Sequence, residues 1–107
     1  MIYEWRLYEV MPGKMSALHD RFQKITLKLF EKHGIKVIGF WETIIGTSNV
    51  LYYMIAYENI AHREKAWNAF MADPKWINAR QETEKDGPLV HRVVNMLLKP
   101  TSYSPMK

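Results

Sequence analysis

Val50-Leu51-Tyr52-Tyr53-Met54-Ile55-Ala56-Tyr57 is a run in which every side chain is apolar or aromatic. Such residues favour a strand, and Glu58-Asn59 closes it. A strand sends successive side chains to opposite faces. Leu51, Tyr53, Ile55 and Tyr57 therefore oppose Val50, Tyr52, Met54 and Ala56, and both sets call for burial. A strand of this kind belongs in a sheet covered on each side.

The neighbouring segments supply the rest of that sheet. Gly46-Thr47-Ser48-Asn49 is a short polar turn, and Ile35 to Ile45 before it reads as the partner strand of a hairpin. In that partner, Val37, Trp41 and Ile45 are read on one face and Ile38, Phe40 and Ile44 on the other. Ile2 to Val10 mixes Tyr, Trp, Leu and Val with charges and has no helical period, so it is a strand, stopped by Met11-Pro12-Gly13. Between these strands Met15, Leu18, Phe22, Ile25 and Leu29 recur at steps of three and four, which is a helical stripe. The helix ends at His33-Gly34, with Gly34 placed as a left-handed C-cap.

A second helical stretch begins at about Ile60 and is expected to bury Ala66, Trp67, Phe70 and Met71. Asp73-Pro74 interrupts it, Asp suiting an N-cap and Pro the first helical position, so a fresh segment runs to about Glu84. Asp86-Gly87-Pro88 turns the chain into a last strand, Leu89 to Leu98, with Val90, Val94, Met96 and Leu98 set against Leu89, Val93 and Leu97. An irregular tail follows from about residue 99. The order β-α-β-β-α-β is the ferredoxin-like α+β arrangement, a four-stranded antiparallel sheet with its helices on one face. Residues 1–107 are expected to form one domain. Helices cover one face only, so the apolar outer face is expected to meet a second copy, sheet against sheet, in a homodimer.

Composition narrows the function classes. The chain has 107 residues, 48% hydrophobic and 24% charged, which suits one globular core and excludes a disordered chain. Four Trp, six Tyr and four Phe are more bulky apolar surface than a small monomer easily hides. Without Cys there is no disulfide framework, thiolate metal site or cysteine nucleophile. The net charge of +4 is spread along the chain. Arg21, Lys24, Lys28 and Lys32 share a helix flank and read as a solvated face, so no nucleic-acid partner is expected. No uncharged run approaches the ~18–20 residues of a membrane span. Charges within the opening Met1-Ile2-Tyr3-Glu4-Trp5-Arg6 do not suit a signal peptide, and a cytoplasmic location is expected.

Three blocks of sequence carry a family resemblance. They are Glu4-x-Arg6-x-Tyr8 followed by Pro12-Gly13, then Trp67-x-x-Phe70-x-x-Asp73-Pro74-x-Trp76 with Arg80, and Leu97-Leu98-Lys99-Pro100-Thr101-x-x-Ser104-Pro105. Together they resemble the NIPSNAP family, whose domains belong to the dimeric α/β barrel superfamily. The Trp, Asp-Pro, Trp block is the most specific of the three. The resemblance implies the dimer and no settled reaction. Other families of that superfamily include cofactor-independent monooxygenases and isomerases, so an enzyme of that kind is the alternative to a binding domain.

A cleft between sheet and helices is the natural pocket of this fold, and polar side chains entering it are the ones to question. Glu4, Arg6 and Tyr8 share a face of the first strand by period two. Arg6 beside a tyrosine hydroxyl suits an anionic or carbonyl-bearing ligand, with Glu4 or Glu42 as its partner. Alternatively, Arg6 belongs to a structural ion pair. Trp67 and Trp76 are candidates to close over an apolar ligand, although tryptophan at helical spacing is more often core. Arg80 and His91 complete the candidate set. His91 alone could serve as a general base or haem ligand, but a lone imidazole is more often structural or exposed. The histidines lack metal-ligand spacing, so neither a metal nor a cofactor is expected. No serine sits in a nucleophile elbow, and no phosphate loop is present. The leading expectation is a small apolar or amphipathic ligand in the cleft.

Overall fold

The computed structural model describes residues 1–107. Strand β1 is Ile2–Val10, β2 Lys36–Glu42, β3 Val50–Tyr57 and β4 Val90–Leu98. The helices are α1 Met15–Arg21, a π-helical turn Phe22–Thr26, α2 Leu27–Lys32, α3 Ile60–Ala72 and α4 Pro74–Thr83. The first three of these run on without a break and make one long helix. The sheet is antiparallel in the order β2-β3-β1-β4. This is the ferredoxin-like fold.

Helix ends follow local chemistry. Gly34 takes φ +76°, the left-handed conformation that closes the long helix. Asn59 caps α3 by accepting from the His62 backbone N–H at 2.8 Å. Asp73 caps α4 by accepting from the Lys75 N–H at 2.9 Å, with Pro74 in the first turn. The same carboxylate meets Lys32 at 2.9 Å and His33 at 2.7 Å. Asp73 therefore ties the start of α4 to the end of α2, and these bonds hold it well below the usual carboxylate range.

Helices cover the face that carries Leu51, Tyr53, Ile55 and Tyr57, which pack with Leu18, Phe30 and Phe70 in one core. The opposite face carries Trp5 within 5.6 Å of Trp41 and 5.8 Å of Tyr52, ring centre to ring centre. Trp41, Met96 and Leu98 are 47%, 47% and 41% exposed there.

Several expectations need correction. Strand β2 ends at Glu42, so Ile44 and Ile45 lie in the connecting loop and are 98% and 95% exposed. The turn is wider than a tight hairpin, because β2 stops at Glu42 and β3 begins only at Val50. A β-bulge leaves Ile38 without its own partner, since Val37 pairs with Ile55 and Gly39 with Met54. The bulge resets the alternation and sends both Val37 and Phe40 to the helix side, against the simple period-two assignment. A second bulge separates Glu9 (opposite Arg92) from Val10 (opposite Val90) and leaves His91 as the extra residue. Val90 thereby joins the inner face with Val10 instead of following Val94.

Helical burial also departs from the simple stripe. Arg21 and Thr26 are buried, whereas Ile25 only lies against the core's edge. In a regular α-helix residues five apart point about 140° from each other. The wider π turn brings both to the inner side. Arg21 is thus no part of a solvated basic flank. Met71, expected inside, is 39% exposed because α3 shows the sheet only Ala66 and Phe70 as fully buried residues.

Candidate functional site

Six of the eight candidate residues, Arg6, Tyr8, Trp67, Trp76, Arg80 and His91, line one cleft of about 280 Å³ between the sheet and the helices. Strand β1 delivers Arg6 and Tyr8 to it from the inner face. Helix α3 contributes Trp67, α4 contributes Trp76 and Arg80, and the β4 bulge contributes His91. Sequence reasoning missed Arg21, Phe22 and Thr26, which the π turn and the residue preceding it bring to the same wall. π turns inside helices often mark functional sites, but they leave no simple period in a sequence.

Glu4 lies behind the cleft and organises it. Its carboxylate, 0% exposed, accepts from Arg6 Nη1 at 2.8 Å and Asn95 Nδ2 at 2.8 Å. Arg63 adds bonds from Nε at 2.9 Å and Nη2 at 3.1 Å. Burial pushes the Glu4 carboxyl up, but the hydrogen bonds from Arg63 and Asn95 and the Arg6 charge outweigh it and leave it below the usual range. Glu4 is therefore an anion whose oxygens are fully engaged by the protein.

Arg6 is held on several sides. Its Nε donates to Tyr53 Oη at 2.6 Å, and the Tyr53 and Tyr8 hydroxyl oxygens are 2.8 Å apart. The Trp67 ring covers the guanidinium, with Cζ 4.5 Å from the ring centre, a cation–π geometry. Burial alone would lower the Arg6 pKa, but Tyr53, Tyr8 and Glu4 more than offset it and keep the group charged. Burial pushes the Tyr53 hydroxyl far up, so it stays protonated.

A second arginine cluster lies on the same cleft. Arg21 Nη1 donates to Glu84 Oε2 at 2.8 Å and to Thr83 Oγ1 at 3.2 Å. Arg80 Nε reaches the same Glu84 oxygen at 3.2 Å. Trp76 lies 5.0 Å from Arg21 Cζ, ring centre to carbon, and its buried Nε1–H has no partner. Each cluster sets two arginines on one carboxylate, beneath a tryptophan.

Glu42 is the candidate that the fold takes elsewhere. It meets His19 at 2.8 Å on the far side of the long helix and does not touch Arg6. The strand that carries it bulges before it, and Glu4 already fills the partner's place. His91 is exposed at the rim. No group of three or more His, Asp or Glu side chains converges in a metal-ligating arrangement.

A family model described as NIPSNAP matches residues 3–105. The chain belongs to the NIPSNAP family. Among curated relatives, human NipSnap homolog 3A is 30% identical over 77 residues, 71% of this chain and 30% of that protein. NipSnap homolog 1 of Danio rerio is 26% identical over 106 residues, 99% of this chain and 36% of that protein. The chain thus spans about a third of the length of the curated relatives it matches.

Solved structures agree on the fold. A NIPSNAP family protein with unknown function from Agrobacterium tumefaciens superposes with a TM-score of 0.87 at 24% identity, covering 100% of this chain and 94% of that one. A NIPSNAP-like domain protein from Burkholderia xenovorans gives 0.86 at 26% identity, covering 97% and 88%. A candidate antibiotic biosynthesis monooxygenase from Deinococcus radiodurans gives 0.66 at 12% identity over 100% and 99%, a likeness of fold. No helix of this NIPSNAP chain is long and apolar enough to cross a membrane.

Proposed function

We propose that this NIPSNAP domain binds a small amphipathic molecule in the cleft between sheet and helices. The carrying observation is the lining itself: Phe22, Phe30, Phe70, Trp67 and Trp76 beside Arg6, Arg21 and Arg80 in one concave space. Aromatic walls with a few convergent polar groups are the usual make-up of a small-molecule site. The cleft's volume of about 280 Å³ suits a molecule of small-metabolite size.

The binding unit on this reading is a homodimer. Its support is the uncovered outer face, where Trp41, Met96 and Leu98 remain 41–47% exposed in one chain. Large apolar side chains gathered on one exposed sheet face favour an interface there. The likeness to the dimeric α/β barrel arrangement favours a second copy as the occupant.

A second reading, an enzyme of the cofactor-independent monooxygenase or isomerase kind, has one specific support. His91, the extra residue of the β4 bulge, is the imidazole on the cleft's lining and could exchange protons with an occupant. Native mass spectrometry of freshly purified protein tests the binding reading. A dimer with a retained small molecule supports it, and a ligand-free monomer contradicts it. Turnover of that retained molecule, lost in His91→Gln, would favour the enzyme instead.

A further inference from the structure

Hydrogen-bond polarity around Arg6 specifies the head group of the cleft's occupant. We infer that Arg6 and Tyr8 form a donor pair for an anionic oxygen, the simplest such head being a carboxylate. The inference deepens the binding reading and rests on it.

An arginine Nε–H can only donate, so Tyr53 Oη accepts at 2.6 Å. Tyr53 is 0% exposed, so no water reaches its own proton. The one remaining partner is Tyr8 Oη at 2.8 Å. A buried hydroxyl left without an acceptor is costly, so the Tyr53 proton points to Tyr8. Tyr8 Oη is thereby occupied as an acceptor, and its own proton is the one free to leave the chain of bonds. Tyr8 lines the cleft, so that proton is presented to the occupant.

Arg6 offers the second donor. Its Nε is spent on Tyr53 and its Nη1 on Glu4, and no protein group accepts from Nη2. Glu4 cannot turn round to meet a cationic ligand, because its oxygens already take four bonds from Arg6, Arg63 and Asn95. The cluster of Glu4, Arg6 and Arg63 carries one positive charge in excess, as does that of Glu84, Arg21 and Arg80. A neutral carbonyl would satisfy the two donors but bring no counter-charge to the buried Arg6 and Arg21 that face it. An anionic oxygen does both, and charge-assisted bonds of this type are about twice as strong as neutral ones.

Three probes with one aromatic body separate the outcomes: 4-phenylbutyrate, 4-phenylbutyramide and 4-phenylbutylamine, titrated calorimetrically into the intact protein. The acid should bind at least about tenfold more tightly than the amide, and the amine least. Tyr8→Phe should reduce that preference to a few-fold by weakening the acid more than the amide, and should lower the melting temperature because Tyr53 loses its acceptor. Amide or amine binding as tight as the acid overturns the head-group assignment and leaves the cleft reading standing. An undiminished acid preference in Tyr8→Phe also overturns the donor pair. Failure of all three probes to bind contradicts the cleft reading itself.

Discussion

The Glu4 carboxylate lies 2.8 Å from the Arg6 guanidinium, two residues along the same strand, with no solvent on the acid and little on the base. Period-two geometry puts both on the inner face of β1, and the register opposite β3 places Arg6 beside Tyr53. A buried ion pair of this kind contributes modestly to stability when intact but is costly to break. It does fix where the guanidinium points, which is toward the cleft.

Glu4→Gln should therefore destabilise the fold by about 3 kcal/mol, since Arg6 and Arg63 would face each other without their shared anion. Urea denaturation checks this. A loss below about 1 kcal/mol would mean that water reaches the pair and relieves it.

The acid limb of stability should start near the ordinary carboxylate pKa. Glu4 and Asp73 are both depressed in the fold below their ordinary values of 4.5 and 3.8. A depressed carboxyl contributes stability that is present above its unfolded value and lost as pH falls through the folded one. Stability should thus be flat above pH 4.5 with respect to these groups and fall below it, steepening under pH 3.8. Thermal melts across that range check it, and Glu4→Gln should flatten the upper part of the fall.

The π turn can be removed by deleting Gln23, an exposed residue within it. A deletion there leaves Arg21 and Thr26 four residues apart, about 40° in a regular helix, so both stay on the inner side. The protein should keep its helical circular dichroism and bind 4-phenylbutyrate with little change in affinity. A large loss of affinity would show that the extra residue itself shapes the cleft.

On the outer face, Trp41→Glu would set a charge beside Trp5, whose ring centre lies 5.6 Å away. If the proposed homodimer forms through this face, the variant should sediment as a monomer at micromolar concentration, with the fold intact. A dimer that persists would place the interface elsewhere.

Much of this architecture was legible in the sequence, for a physical reason. The run from Val50 to Tyr57 and the Gly34 and Asp73-Pro74 boundaries are local signals, and each element they mark is present. What alternation could not show was the two bulges. An extra residue at Ile38 or His91 shifts every side chain on one side of it to the other face, and neither position has a distinctive composition. The cleft was legible where strand period and helix spacing agreed, at Arg6, Tyr8, Trp67 and Trp76. It was not legible at Arg21, whose inward turn depends on the wider winding after it. Nor could the sequence choose between Glu4 and Glu42 as the partner of Arg6, since that depends on which strand lies alongside.

The four tryptophans supply the most direct test of the cleft as a binding site. Trp67 and Trp76 line it, while Trp5 and Trp41 lie together on the opposite face of the sheet. Each has one indole N–H, so two-dimensional nitrogen–proton spectra report both faces at once during titration with 4-phenylbutyrate. Saturable shifts are expected in the Trp67 and Trp76 signals, with Trp5 and Trp41 unmoved. Shifts confined to Trp5 and Trp41, or no saturable shift in any of the four, would contradict binding in the cleft.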